Sequence, residues 1–283
     1  MKKFREGFMQ VLFMLSALVS IIAVALICIF LFANGVPAIR EIGLADFLTG
    51  TSWKPEQNIY GILPMIIGSI YVTAGAMLIG VPIGILTALF LVHFCPAGLY
   101  RFLKPAVDLL AGIPSIVYGF FGLTVIVPAI RNGLGGSGSS MLAASVVLGI
   151  MILPTIINVS ESAIRAVPES YYEGSLALGA SHERSVFFTV LPAAKSGVFA
   201  AVILGVGRAI GETMAVIMVA GNQPRMPAGL FKGVRTLTAN IVLEMAYAAD
   251  LHRGALIATA VVLFVFILII NLSFSLLKRR AKL

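Results

Sequence analysis

Long apolar runs separated by short polar segments constrain this chain more than any other feature. Six runs lie near residues 8–33, 61–94, 106–130, 141–160, 190–221 and 254–277. A run of about 20 apolar residues is long enough for a helix to cross the hydrocarbon core of a bilayer. A helix satisfies its own backbone hydrogen bonds there, whereas a β-barrel needs alternating segments of about ten residues. The sequence therefore predicts an all-α membrane bundle of about six transmembrane helices.

Composition and charge agree with a membrane protein. Of the 283 residues, 59% are hydrophobic and only 11% are charged, against about 25% charged residues in a typical soluble domain. The net charge of +8 could suggest nucleic-acid binding. The basic residues, however, cluster at the ends of the apolar runs, which is the topology signal of membrane proteins. We therefore expect the chain to contact membrane lipid and not nucleic acid.

The distribution of Lys and Arg predicts the orientation of the chain. With the N-terminus inside, the cytoplasmic segments contain twelve of the 20 basic residues, the outer segments contain seven, and Arg208 lies within a run. This bias and an even number of spans predict that both termini are cytoplasmic. The first run is about 26 residues long and is followed by Asn34–Pro37 rather than by a cleavage site, so we expect a retained span that ends at this turn.

These spans predict a simple organisation of the chain. Residues 1–60 form the first transmembrane helix and an outer loop, and residues 61–283 form the remaining helical bundle with a cytoplasmic loop at 161–195. The longest later outer loop, 222–253, mixes apolar and polar residues and predicts a short helix over the outer mouth. Glu161 and Arg165, at the inner end of the fourth run, are expected to form a solvated i,i+4 pair.

The cytoplasmic loop at 161–195 predicts a short surface helix ahead of the fifth span. Ser170 is a possible N-cap, and Glu173 lies three residues later, as in a capping box. Gly179 is a plausible helix stop, because glycine adopts the left-handed conformation that ends many helices.

The spacing within this loop resembles that of permease subunits of ABC importers. Their loop reads E-A-A, three residues, G, nine residues, I-x-L-P. Here Glu173-Gly174-Ser175 is followed by Gly179 and then by Thr189-Val190-Leu191-Pro192. In that family the short helix docks into a cleft on the ATPase subunit. The resemblance therefore implies that this chain couples to an ATPase through Glu173, Gly174, Ser175, Gly179, Leu191 and Pro192.

Two charged residues lie within the fifth run. At about 1.5 Å per residue, Arg208 is roughly 24 Å from Pro192, near mid-membrane, where an arginine costs about 2.5–3.5 kcal/mol on insertion scales. Glu212 follows at i+4 and can pair with it. Gly207 and Gly211 allow a helix or a ligand to approach closely.

Two interpretations of this pair stay open. It is either a structural ion pair or an anion site on a translocation path, because the planar donor fork of arginine matches phosphate or sulfate. Phosphate near neutral pH keeps a P–OH proton and sulfate has none. As a hypothesis, Glu212 accepts the hydrogen bond of that proton and disfavours sulfate.

The amino-acid sequence around the pair resembles that of the phosphate-specific ABC importer permeases of the PstC type. The matching segments are Gly207–Val216, Ala220–Asn222, Trp53 and Tyr60–Pro64, and the resemblance covers nearly the whole chain. It implies a six-span type I permease fold in the cytoplasmic membrane. It further implies a PstA-type second permease, two ATPase subunits and an external phosphate-binding protein as partners, with phosphate passing Arg208 and Glu212.

The sequence contains no sign of an enzyme. It has no phosphate-cradling G-x-x-x-x-G-K-[ST] loop and no nucleophile–base set, and its histidines, His93, His182 and His252, are scattered. We expect a transport subunit with no catalytic residue, metal or cofactor of its own, ATP and Mg²⁺ being bound by the partner ATPase. The alternatives are a permease for another oxyanion or small solute, and an ion-driven secondary transporter, which does not need the coupling loop.

Overall fold

The computed structural model describes residues 2–280. Met1 and residues 281–283, including Lys282 of the basic tail, lie outside the described residues. Five helical segments are long and apolar enough to cross a membrane, and a bent pair of helices adds a sixth if it is counted as one span. The predicted all-α membrane bundle is therefore confirmed.

Fourteen helices and one two-stranded hairpin make up the described chain. The hairpin pairs β1 (Trp53–Lys54) with β2 (Ile59–Tyr60) in antiparallel register. Single π-helical turns extend α3, α5 and α9. The helices are α1 (Lys2–Ile42), α2 (Leu44–Thr49), α3 (Leu63–Leu89), α4 (Ala97–Gly112), α5 (Ser115–Phe121), α6 (Val127–Leu134), α7 (Met141–Arg165), α8 (Glu169–Ala177), α9 (His182–Ser185), α10 (Leu191–Ala193), α11 (Lys195–Gly211), α12 (Met214–Val219), α13 (Leu237–Met245) and α14 (Asp250–Arg280).

Helix α7 is the centre of the bundle. It packs against α3 and α11, and its core residues include Leu148 and Met151, which are essentially inaccessible to solvent. A Cβ atom on Gly80 of α3 would lie 2.7 Å from Ile152, and one on Gly84 would lie 2.7 Å from Ile156. Small residues at this i,i+4 spacing let the two backbones approach closely. We call the end of the bundle that carries α8 the α8 end, and the opposite end, with the hairpin and α13, the α13 end.

The first span is longer than predicted, because the turn expected at Asn34–Pro37 is helical. Helix α1 continues through Pro37 to Ile42. Pro37 costs the helix one backbone hydrogen bond, but α14 packs along this part of α1. Gly35 faces Val261 and Ala258 of α14, and that packing stabilises the helix across the proline.

The third predicted span, 106–130, is wrong at its start. The chain breaks at Ile113-Pro114, which separates α4 from the membrane-length segment Ser115–Leu134. A residue before proline is disfavoured in the helical region, and Ile113 is extended, with φ −68° and ψ 126°. Helix α4 is a separate amphipathic helix that packs against α7.

The fifth predicted span, 190–221, is a set of broken segments rather than one helix starting near Pro192. The axis bends by 71° between the segments His182–Ala193 and Lys195–Gly211. Helix α11 ends at Gly211, Glu212 is extended, and α12 starts at Met214.

We expect Gly35→Leu to destabilise the protein, because a Cβ at Gly35 would lie 2.7 Å from Val261 Cγ2 and 3.2 Å from Ala258 Cα. Overpacking of this kind costs about 1–3 kcal/mol. Thermal unfolding of the protein in detergent measures it. The control is Gly7→Leu in the same helix, where a Cβ meets nothing within 4 Å. Equal melting temperatures for the two variants would contradict close α1–α14 packing.

Candidate functional site

The break between α11 and α12 is an interruption of helical backbone within an apolar run. We call residues 211–213 the helix break. The Glu212 carbonyl accepts a hydrogen bond from Thr238 Oγ1 at 3.0 Å, and the Gly211 carbonyl accepts one from Thr213 Oγ1 at 3.3 Å. Non-helical backbone at membrane depth is tolerated only where protein groups or a water-filled cavity satisfy it. Here two side-chain hydroxyl groups supply these hydrogen bonds, and one of them, that of Thr238, comes from α13.

Arg208 and Glu212 do not pair, although their i,i+4 spacing predicts that they can. Arg208 Nη1 donates to Thr155 Oγ1 of α7 at 3.1 Å, and within residues 2–280 no carboxylate oxygen lies within 4.0 Å of its guanidinium nitrogens. Glu212 Oε1 instead accepts from the Ala215 backbone N–H at 3.1 Å and caps α12. The physical reason is that the helix that would align the two side chains ends at Gly211.

Each of the two charges lies at a helix end that suits its sign. Arg208 is in the last turn of α11, near carbonyl groups that carry partial negative charge. The Glu212 carboxylate accepts from an N–H group of the first turn of α12. The arginine is thus stabilised by backbone dipoles and a neutral hydroxyl, and its charge is not cancelled by an acidic partner among the described residues.

Open space borders this part of α11. A Cβ atom on Gly207 or Gly211 meets nothing within 4 Å, whereas one on Gly205 would contact Ile156 of α7 at 3.1 Å. The close approach of a helix at Gly207 and Gly211 is therefore absent within the described chain. Arg208 has five N–H donors and lies beside this space, so its free donors can bind an anion that enters there.

Helix α8 forms where the sequence predicts a short helix, but its start differs. It begins at Glu169 after Pro168, so Ser170 is the second helical residue and the predicted capping box is wrong. Pro168 has no N–H group and is fixed at φ −57°, which suits the position that precedes a helix.

The predicted stop of α8 at Gly179 is confirmed. Gly179 has φ +85° and donates to the Leu176 carbonyl at 2.8 Å, and Ala180 donates to the Ser175 carbonyl at 3.2 Å. These are the two hydrogen bonds of a Schellman motif.

The six residues of the predicted coupling element divide into anchors and surface. Ser175 Oγ accepts hydrogen bonds from Ser185 Oγ at 3.0 Å and Thr189 Oγ1 at 3.3 Å, which tie α8 to the following turn. Leu191 packs beside a buried cluster that includes Val190. The other four members are exposed: Glu173, Gly174, Gly179 and Pro192.

Four aromatic rings meet at α8, which the sequence does not reveal: Tyr172 of α8, His93, His182 and Phe94, whose ring lies 4.7 Å from the His182 ring. The Tyr172 hydroxyl lies 2.6 Å from His182 Nδ1, and the His93 ring is 5.8 Å from the Tyr172 ring. The prediction that the histidines are scattered is therefore wrong for His93 and His182, because the fold brings the centroids of their rings to 6.5 Å from each other. Within residues 2–280 no three metal-ligating side chains come together. A cavity of about 360 Å³ adjoins His93, Arg165 and Tyr172.

Glu161 is a buried hub near the α8 end and not part of a solvated pair. It is 3% exposed and binds Tyr100 Oη at 2.8 Å, Lys104 Nζ at 3.0 Å and Arg165 Nε at 3.0 Å. The predicted i,i+4 pair with Arg165 is confirmed, but Glu161 is not solvated, because α4, which the sequence merged with the third span, lies over this part of α7.

A second buried carboxylate organises the α13 end. The predicted short helix of the 222–253 loop is α13, and its Glu244 is 7% exposed. Glu244 accepts hydrogen bonds from Trp53 Nε1 at 2.8 Å and from Arg235, and it lies 2.9 Å from His252 Nε2. Burial alone would raise the pKa of this carboxyl group, but these hydrogen bonds outweigh burial and hold its pKa below the usual value. A cavity of about 600 Å³ opens beside Glu244 and Tyr60.

Comparison with known proteins assigns the family. Residues 80–283 match the family described as "Binding-protein-dependent transport system inner membrane component". The chain belongs to this family. It is therefore a multi-pass inner-membrane permease subunit of a binding-protein-dependent ABC importer, not an enzyme.

Relatives of the permease cover most of its length. The probable ABC transporter permease protein YqgH of Bacillus subtilis strain 168 is 41% identical over 266 residues, covering 90% of this chain and 86% of that protein. The phosphate transport system permease protein PstC of Mesorhizobium japonicum is 35% identical and covers 90% and 84%. PstC of Haemophilus influenzae is 33% identical and covers 93% and 91%. The resemblance to PstC-type permeases is confirmed.

Solved structures support the type I permease fold. The inward-facing MetNI methionine ABC transporter matches with a TM-score of 0.63 at 20% identity, over 81% of this chain and 99% of the other. A bacterial alginate ABC transporter matches with a TM-score of 0.62 at 16% identity, over 93% and 94%. At these identities the likeness concerns the fold alone.

We expect Glu244→Gln to destabilise the permease near neutral pH, by roughly 2 kcal/mol, because it removes charge-assisted hydrogen bonds from a buried hub. A carboxyl group with a lowered folded-state pKa stabilises above its unfolded value, near 4.3, and the stabilisation is lost as the pH falls through the folded-state pKa. The melting-temperature gap between wild type and Glu244→Gln should therefore shrink at acidic pH. Glu56→Gln, in an exposed 3-10 turn, is the control. A gap that stays constant with pH would contradict this assignment.

Proposed function

We propose that this permease carries inorganic phosphate into the cell and that Arg208 and Glu212 lie on the path. The observation that carries the proposal is Arg208 at the helix break, beside open space and without a carboxylate partner among the described residues. A charge within an apolar run is expensive, and such residues mark substrate pathways. The names of several relatives favour phosphate as the solute.

The chemistry of the two side chains suits phosphate. The free N–H donors of Arg208 bind oxyanion oxygens in a planar fork. One oxygen of Glu212 caps α12, and the second is left to accept a hydrogen bond from a P–OH group. Sulfate offers no such proton and would face an unsatisfied carboxylate. Because Arg208 keeps its charge at rest, it attracts the anion, and a single arginine binds it loosely enough for release.

The proposed coupling path starts at α8. Its exposed face, with Glu173 and Gly174, docks on an ATPase subunit. Ser175 passes the movement to Ser185 and Thr189 through hydroxyl hydrogen bonds. The bend at Ala194 then connects this turn to α11, which ends beside Arg208. The six proposed coupling residues thus combine a contact surface with anchors to the substrate span.

The complete importer contains partners beyond this chain. We propose a second permease of the PstA type, two ATPase subunits that bind ATP and Mg²⁺, and an external phosphate-binding protein. The α8 end and both termini then face the cytoplasm, and the α13 end faces outward, with its cavity toward the binding protein. In this organisation residues 61–283 are the permease bundle, and residues 1–60 add the first helix and outer loop.

Another oxyanion, such as sulfate or molybdate, is the alternative substrate. It would use the same arginine but gain nothing from Glu212. Competition for uptake separates the two. Excess sulfate should leave phosphate import unchanged in the wild type.

We expect Arg208→Ala and Glu212→Gln to lower phosphate uptake by at least about tenfold, because each removes a charge-assisted hydrogen bond to the anion. Glutamine keeps an oxygen that can accept from Ala215, so the fold is preserved. Uptake is measured in proteoliposomes that contain the complete importer. The control is Arg131→Ala, an exposed arginine that binds the Ser137 carbonyl. Normal uptake in both site variants of an assembled complex would overturn the path assignment.

We expect Gly174→Leu to weaken attachment of the ATPase, because the added side chain would project from the docking face of α8. A Cβ there meets nothing within 4 Å, so the fold of this chain should be kept. Co-purification of the ATPase subunit measures attachment. The matched control is Gly133→Leu, a helical glycine with equally open surroundings in α6. Equal attachment in both variants would argue against docking through α8.

A further inference from the structure

We infer that Thr155 is a third residue of the oxyanion site. Its hydroxyl oxygen positions the Arg208 guanidinium, and its hydroxyl proton is donated to the same tetrahedral anion. The inference rests on the proposed function, because it names the group that holds the proposed arginine in place.

The hydroxyl of Thr155 is used across helices rather than within its own. Its oxygen accepts from Arg208 Nη1 of α11 at 3.1 Å. Ser162, further along α7, shows the common alternative, since its hydroxyl donates to the Asn158 carbonyl four residues back. Thr87 of α3 does the same with the Ile83 carbonyl. The Thr155 oxygen thus accepts from Arg208, a charged residue of the neighbouring helix α11.

A neutral partner suits an arginine that must bind anions. A carboxylate in this position would orient the guanidinium but would also cancel its charge. A hydroxyl group orients it through a lone pair and leaves the positive charge intact. The hydroxyl has one proton, and a group that accepts from Arg208 keeps that proton available for a second acceptor. An anion oxygen beside the arginine is the acceptor that this geometry favours, because hydrogen bonds to charged groups are the stronger ones.

Packing holds Thr155 in place independently of its hydroxyl. The next residue, Ile156, is fully buried and fills the contact with Gly205 of α11, where a Cβ would lie 3.1 Å away. It also contacts Gly84 of α3. The hydroxyl can therefore be removed without opening the α7–α11 contact. Valine has the β-branched shape of threonine and lacks the hydroxyl group, so Thr155→Val removes the hydrogen bond and keeps the branching at Cβ.

The test uses the complete importer in proteoliposomes, with phosphate uptake and ATP hydrolysis measured together. We expect Thr155→Val to lower the maximal uptake rate by about tenfold, the effect of losing one hydrogen bond to a charged group. Thr155→Ser should stay within about twofold of wild type, since it restores the hydroxyl group. ATP hydrolysis stimulated by the loaded binding protein should be unchanged, so that less phosphate moves per ATP. Thr87→Val is the control and should behave as wild type.

A double variant separates positioning from packing. Because Thr155 acts partly through Arg208 and partly through its own hydrogen bond to the anion, Thr155→Val should cause a smaller fold loss in an Arg208→Ala background than in the wild type. Fully additive losses, or equal losses in Thr155→Val and Thr155→Ser, would overturn the inference. So would normal uptake in Thr155→Val while Arg208→Ala is impaired, and the proposed function would then stand. Normal uptake in Arg208→Ala would instead remove the proposed function itself.

Discussion

Backbone hydrogen bonding in an apolar environment is the constraint on which the rest of this structure depends. Long helices satisfy their own backbone hydrogen bonds. Within the apolar segments the chain leaves the helical conformation only where other groups supply those hydrogen bonds. The helix break at residues 211–213 is such a place. Thr238 from α13 binds the Glu212 carbonyl, and the Glu212 side chain binds the Ala215 N–H. The break is therefore stabilised both by the Glu212 side chain and by a helix from the α13 end.

The same break explains how an arginine within an apolar run is tolerated without an acidic partner among the described residues. In a continuous helix Arg208 and Glu212 would lie on one face and cancel each other. Ending α11 at Gly211 places the two charges at helix ends of suitable sign and leaves Thr155 as the neutral partner of Arg208. The open space beside Gly207 and Gly211 then borders a charged donor group. The interrupted helix thus separates two charges that a continuous helix would pair, which is the arrangement that the proposed anion site needs.

Two further buried carboxylates organise the ends of the bundle. Glu161 joins α4 to α7 through Tyr100, Lys104 and Arg165. Glu244 joins the hairpin, α13 and α14 through Trp53, Arg235 and His252. Each carboxylate has several donors, and that satisfaction is what makes burial of its charge acceptable. Both hubs link elements that are remote in sequence, with mostly apolar packing between them.

The sequence by itself determined the membrane bundle, the family and the helix stop at Gly179, and it predicted Arg208 and Glu212 as the candidate site. These follow from local signals: apolar run length, spacing within one loop, and the left-handed preference of glycine. The start of the third span could also have been predicted from the sequence, because Pro114 disfavours a helical backbone at Ile113. Only the tertiary structure decided that Arg208 binds Thr155, that Glu212 caps α12, and that Glu161 and Glu244 are buried hubs. The physical reason is that each of these contacts depends on a partner from another helix. The i,i+4 spacing of Arg208 and Glu212 predicts a pair only if one continuous helix contains both residues.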